Sequence, residues 1–315
     1  KPMRLSYFEP LYTTHPALLS AGVACGKNAF AENWYLNHTS RIYGRVFQEN
    51  GKIFTDSFLG CGDCWSIPFL YHKKAGICLF LSTAQAILHT AIERGFYCNL
   101  RFDRFDFSSV CRTADPGTKE ATLYGFARES KTYFLFCPSA SGPQRFSLPA
   151  PLLLRQIKNC TEKTDGTIEF LRVMPCELLP DPVQIRRELE EYVVGAPYRE
   201  APGQNCSADL SGIEAADLLR FSHFVQDRYA ANRANRMLLE HKICMQKRLS
   251  ALERMQAIGP GLALQYQSCV QRFLELYHEA LQGDEVSPGM LAAFKNEERA
   301  VLARVLDSMD KLHEN

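Results

Sequence analysis

The sequence has no excess of charge of one sign. Thirty-six Lys and Arg stand against 35 Asp and Glu, a formal net charge of +1, so no global field draws the chain toward nucleic acid or anionic lipid. It has no long apolar run either. The longest, Ala75–Leu88 (AGICLFLSTAQAIL), is short and carries Ser, Thr and Gln, against the ~20 apolar residues a membrane span needs. Nucleic acid and membrane are therefore not expected partners. The familiar phosphate, metal and hydrolase signatures are missing: there is no G-x-x-x-x-G-K-[ST], no H-E-x-x-H and no G-x-S-x-G. Gly60-Cys61-Gly62 is a lone G-x-G without a third glycine. Cys61 and Cys64 form one C-x-x-C with no second pair at zinc spacing, so no metal and no bound cofactor is expected.

What is present is apolar material and cysteine. Hydrophobic residues make up 46% of the 315, enough for a folded core and too much for a disordered chain. That length is a soft prior for two domains at about 100–200 residues each. Twelve cysteines are scattered from Cys25 to Cys269. A disulfide framework belongs to short secreted chains, and the start of this sequence does not read as a signal peptide. The expectation is a cytoplasmic protein whose cysteines are reduced and mostly used as small core residues. The N-x-S/T triplets at Asn37, Asn159 and Asn205 are then unused.

The first half mixes two periods. Ala29–His38 (AFAENWYLNH) reads as a short helix with Phe30 and Trp34 on one face. RVFQENGKIFTD reads as a hairpin around Asn50-Gly51, a pair that tolerates positive φ. A helix buries Ala84, Ile87, Leu88 and Ala91 and stops at Gly95. Strand-like runs follow at Tyr97–Phe107, Ala121–Phe126, Lys131–Cys137 and Thr167–Met174, with the Pro/Ser/Gly-rich connection PSASGPQRFSLPAP between the last two. The second half is helical. Asp181-Pro182 supplies a cap and a first-turn proline, and Ser211–Glu214 has capping-box spacing. Apolar stripes then run through Leu238, Met245, Leu249 and Leu252, through Tyr266, Val270, Phe273 and Tyr277, and through Phe294, Leu302, Val305 and Met309, with breaks at Gly259-Pro260 and Ser287-Pro288. The expected fold is α+β, with an α+β domain over 1–178 and an α-helical bundle domain over 179–315.

The chemistry left open is that of a cysteine nucleophile, since a thiolate is stabilised at a helix N-terminus. Cys64, in Cys61-Gly-Asp-Cys-Trp-Ser, looks like the sequence around the papain nucleophile, but Pro68 biases Ile67 away from helical geometry, and a cysteine-rich turn is the plainer reading. Cys25 follows a small-residue turn and leads into the Ala29–His38 helix. On that feature alone, a structural cysteine and a nucleophile both remain open.

Four segments together resemble the papain-like cysteine acyltransferases typified by the butirosin-biosynthesis enzyme, which moves an acyl group from an acyl carrier protein to an aminoglycoside. They are Cys25 before a helix with Asn33 and Leu36, NLRFDRFDF with its Asp103 and Asp106, Ala121–Phe126 (ATLYGF) with its Gly-Phe end, and Asn235–Lys242 (NRMLLEHK) with Met245 and Arg248. The last looks like the helical region of relatives in nonribosomal peptide and polyketide clusters. The resemblance implies a papain-like N-terminal domain. In it Cys25 takes an acyl group from a carrier-protein phosphopantetheine thioester and passes it to a small-molecule amine, with oxyanion donors at the backbone of Gly26 and Lys27. A chain-releasing cyclase of amide-forming or Dieckmann type would use the same acyl-enzyme on a self-cyclising substrate. An acidic carrier protein would seek basic residues, for which Arg233 with Arg236 and Lys247 with Arg248 are candidates.

One departure cuts into this reading. The family's histidine precedes the Gly-Phe strand end, and here Thr118–Thr122 reads TKEAT, which leaves Glu120 or Ala121 at the expected position. Three accounts follow: a deliberate replacement that traps a complex, Glu120 acting as the base, or a protein that binds carrier protein without catalysis. Asp103 would orient a base or simply lie on a strand's wet face. The first-half histidines His15, His38, His72 and His89 are candidate substitute bases, although His38, roughly 220° around the helix, should not face Cys25, while His241 is expected at a surface or between helices.

Overall fold

The computed structural model describes residues 2–7, 22–24, 28–39, 41–59, 67–80, 82–112, 114, 117–139, 142–159, 166–195 and 206–313. The chain forms two compact units, Lys1–Ala31 with Asp63–Glu177, and Glu32–Gly62 with Leu178–Asn315. Both mix or join helices and strands, so the class is α+β.

The first unit is built on a seven-stranded antiparallel sheet. Its strands are β1 (Met3–Arg4), β4 (Leu70–Gly76), β5 (Tyr97–Phe102), β6 (Glu120–Ala127), β7 (Thr132–Cys137), β8 (Gln144–Pro149) and β9 (Gly166–Val173). The order is β4-β9-β5-β6-β7-β8, with β1 pairing β6. β9 comes last in the chain yet pairs between β4 and β5. Helices α2 (Ala84–Glu93) and α3 (Ala150–Lys158) cover one face. There Leu88, Ile92, Leu153 and Ile157 meet Leu100, Leu123, Leu135 and Leu148 in a continuous core, at roughly 1.5–3 kcal/mol of burial per large side chain. Two expectations change here. The connection PSASGPQRFSLPAP contains β8, and the residues after it form α3, whose amphipathic LLLRQI the turn residues around it mask. The strand from Tyr97 ends at Phe102, because Asp106 turns the chain by accepting the Ser108 and Gly117 N–H groups.

Gly125, the glycine of the Gly-Phe strand end, has a packing reason of its own. A Cβ there would lie 2.6 Å from the Met3 carbonyl oxygen, so only glycine lets β1 close on β6.

The second unit contains a three-stranded antiparallel sheet as well as helices. Helix α1 (Ala29–His38) leads into β2 (Ile42–Glu49), which turns through Asn50 and Gly51, at φ 49° and 75°, into β3 (Lys52–Leu59). β10 (Cys206–Ser211) adds to the other edge of β2. Helices α4 (Pro182–Val194), α5 (Arg228–Arg254), α6 (Leu262–Gln282) and α7 (Pro288–His313) complete the unit. Residues 179–315 are therefore not a helical bundle alone, and Glu32–Gly62 leaves the domain 1–178 to pack with them. The packing explains why: the Arg248 guanidinium donates to the Leu36 and Tyr35 carbonyls, Ser57 Oγ donates to the Ala234 carbonyl, and Asn33 and Asn37 donate to the Leu178 and Leu179 carbonyls. Asp181 caps α4 through the Val183 and Gln184 N–H groups, worth about 1 kcal/mol. Ser211 caps nothing. Its hydroxyl donates to the Gly195 carbonyl, Gly212 turns at φ 62°, and a 3-10 stretch follows.

Candidate functional site

Cys25, Gly26 and Lys27 lie outside the described residues, as do Cys61, Cys64 and His15. The segment just before Cys25 is helical and buried at Val23 and Ala24, and α1 starts at Ala29. Five of the described thiols, Cys98, Cys111, Cys137, Cys244 and Cys269, are buried and not in disulfides, as expected of small core residues. Burial alone pushes the Cys98 thiol up, and burial with Glu298 and Glu297 nearby pushes Cys269 up to about 12. Neither is an activated nucleophile.

The strand that carries Glu120 and Ala121 sorts these two positions by face. Cross-strand partners in register point the same way, and neighbours along a strand alternate. Ala121 pairs with Leu100 and points into the helix-covered core. A base at 121 would be buried among hydrophobic side chains, so Ala121 is not the vacant site. Glu120 pairs with Arg101 on the opposite face, where its carboxylate lies 3.4 Å from the Arg101 guanidinium. Asp103 lies 3.7 Å from the same guanidinium, and its carbonyl accepts from Lys119 Nζ at 2.6 Å. Both carboxylates thus lie beside one arginine.

One step further along this face lies a polar row that the sequence reading did not assemble. Lys74, Glu169, Asn99 and Thr122 are successive register partners across β4, β9, β5 and β6. Asn99 Nδ2 donates to Glu169 Oε2 at 3.1 Å, and Thr122 Oγ1 donates to Asn99 Oδ1 at 3.4 Å. The other oxygen, Glu169 Oε1, lies 3.6 Å from Lys74 Nζ and 4.0 Å from His72 Nε2. Glu169, Asn99 and Thr122 are buried, so the carboxylate is held in place by the sheet itself. A carboxylate hydrogen-bonded to an imidazole orients a general base; here the two are near neighbours at 4.0 Å, beyond hydrogen-bond distance. His72 was one of four candidate histidines; Glu169 was missed. The available signal was an acidic residue between Ile168 and Phe170 in an apolar strand.

The second unit disposes of other candidates. His241 is fully buried, its ring 5.0 Å from that of Tyr192, an interhelical residue and not a surface one. His38 lies tilted against Trp34, shares a 2.9 Å hydrogen bond with Gln184, and is held low by burial and by Arg41. Arg248 cannot dock a partner: it is fully buried, bound to the Leu36 and Tyr35 carbonyls and Thr39 Oγ1. Arg236 is committed to Glu240 at 3.1 Å. Arg233 and Lys247 are exposed.

Among the described residues no group of three His, Cys, Asp or Glu side chains has the geometry to hold a metal, and no helix is long and apolar enough to cross a membrane. Comparison of the chain with protein-family models and with curated proteins finds no match.

Proposed function

We propose that this chain is a cysteine-dependent acyltransferase that charges Cys25 from a carrier-protein phosphopantetheine thioester and discharges the acyl group onto an amine. The reading begins from the resemblance of Cys25, the Ala121–Phe126 strand and the Asn235–Lys242 helix to the papain-like acyltransferases. It extends to a papain-like N-terminal unit and a cytoplasmic setting. The observation that carries it is the His72–Glu169–Asn99–Thr122 row on the same sheet face as Glu120. It supplies an imidazole 4.0 Å from a buried carboxylate on that face, in a chain with no histidine at the position the resemblance leads one to expect. In this scheme the imidazole accepts the Cys25 proton, and the thiolate attacks the thioester carbonyl. The C–S bond to pantetheine then breaks, and the departing thiolate takes the proton back. The amine next attacks the acyl-cysteine and releases the thiol.

A second reading, a noncatalytic binder of carrier protein, is favoured by one observation: Glu120 is paired to Arg101. Intact-mass spectrometry with an acyl-pantetheine thioester separates the two. Acyltransfer predicts a single acyl adduct that disappears in Cys25→Ser and forms about a hundredfold more slowly in His72→Gln. Unmodified wild-type protein that still binds carrier protein would leave the binder. Amide product with added amine distinguishes transfer from cyclisation of a tethered chain.

A further inference from the structure

The chain is nearly neutral overall, yet one cleft in the first unit gathers positive charge. It has a volume of about 750 Å³, within the range of small-molecule sites. It opens between α2, the β6–β7 turn and α3, on the helix-covered side of the sheet and so on the face away from the Glu169 row. Its apolar lining comes from Phe126, Ala150, Pro151 and Leu154. His89 lies flat on Phe126, ring centroids 3.9 Å apart and planes within 3°, and shares a 3.3 Å hydrogen bond with the Tyr133 hydroxyl. Burial, and after it Arg128, holds the His89 imidazole below its ordinary value, so this wall is neutral at pH 7.

The rim is cationic. Arg128, Lys131, Arg155 and Lys158 all line the cleft, and among the described residues no carboxylate does. Arg128 is partly committed to Glu93 at 2.5 Å; among the described residues no ion pair is present for the other three. Arg155 and Lys158 are in the last turn of α3, where the helix dipole favours cations without any ligand. That explanation does not reach Lys131. This lysine sits in the β6–β7 turn at φ 49°, a left-handed conformation that glycine adopts freely and lysine does not. A cation occupies a position where local geometry favours glycine, on the same cleft as two more cations from a separate helix.

We infer that this cleft binds a small amphiphilic anion, a phosphate or carboxylate head on an apolar body, with the head among Lys131, Arg155 and Lys158 and the body against Phe126 and Leu154. An anion seated there relieves the mutual repulsion of the rim while its body covers the apolar floor. The inference rests on the cleft alone and is independent of any chemistry at Cys25.

Titration calorimetry with octyl phosphate, octanoate, 1-octanol and inorganic phosphate tests it. The cleft predicts saturable one-to-one binding of octyl phosphate and octanoate, weakened by added salt, and at least about tenfold weaker binding of octanol and of inorganic phosphate, since each lacks one half of the recognition. Lys131→Gly, which suits the turn, and Arg155→Gln should each weaken octyl phosphate binding about threefold, and together about tenfold. Leu154→Glu should abolish it, with unchanged circular dichroism as the folding control. Octanol binding as tightly as octyl phosphate would overturn the inference. So would unchanged affinity in the double variant, or no saturable binding of either anion.

Discussion

The two units use buried polar residues in opposite ways. In the helical unit they are closed on themselves. Lys242, 2% exposed, lies 2.8 Å from Glu298, 0% exposed, and both Tyr192 and Tyr266 donate to the same carboxylate at 3.0 and 2.5 Å, while Lys242 also donates to the Tyr192 hydroxyl. Burial pulls Lys242 down with Glu298 opposing, and burial beside Glu298 holds both tyrosines well above their ordinary value. Every charge has its complement, so the cluster specifies how α4, α5, α6 and α7 pack. In the sheet unit the Glu169 row has an amide and a hydroxyl on one side, and a lysine 54% exposed on the other. It runs from the buried Thr122 hydroxyl to an exposed ammonium. A closed network builds a fold, whereas this one runs out to solvent at the Lys74 ammonium, with the His72 side chain 18% exposed beside it.

The largest expected effect breaks the closed network. Glu298→Ala leaves the Lys242 ammonium buried without its counter-charge and should cost about 3–5 kcal/mol, read as a fall in the urea midpoint. Lys242→Met with Glu298→Leu should recover most of it. Arg248→Met comes next, at about 2–4 kcal/mol, because the Leu36 and Tyr35 carbonyls lose their donor. Glu169→Gln sharpens the contrast. It should shift stability by less than about 1 kcal/mol while slowing acylation about a hundredfold.

The smallest effect is electrostatic. Burial raises the Glu214 carboxyl, but hydrogen bonds from Lys295 at 2.6 Å and Arg299 at 2.7 Å more than offset it and hold it below its ordinary 4.5. A depressed carboxyl contributes stability above its unfolded value and loses it as pH falls through the folded one. Glu214→Gln should therefore flatten the stability profile below pH 4.5, by under about 1 kcal/mol, since the side chain is 43% exposed and screened by solvent.

How much of this was legible in the sequence follows from the range of each interaction. The α1 limits, the Asn50-Gly51 hairpin, the Asp181 cap and the buried stripe Leu238, Met245, Leu249 and Leu252 are set by residues a few positions apart, and the sequence shows them. The Glu169 row is set by β9 inserting between β4 and β5, a pairing of segments about seventy to a hundred residues apart that no local period encodes. β4 itself was hidden, because its His72-Lys73-Lys74 resembles a loop until its partner strand supplies the acid. Pairs across the second unit were equally invisible: nothing near Arg248 announces that its partners are carbonyls at Tyr35 and Leu36. The face of Ala121 became readable only once Leu100 was known to sit opposite.

The central claim, acyl transfer through Cys25 supported by the His72–Glu169 pair, meets its most direct test in the rate of acyl-adduct formation from an acyl-pantetheine thioester. Wild type, Cys25→Ser and Glu169→Gln are followed by intact mass, with peptide mapping of the adduct. The account predicts one adduct on Cys25, none in Cys25→Ser, and about hundredfold slower formation in Glu169→Gln with stability changed by less than about 1 kcal/mol. An adduct on another cysteine, an unmodified wild type, or a Glu169→Gln rate equal to wild type would contradict it.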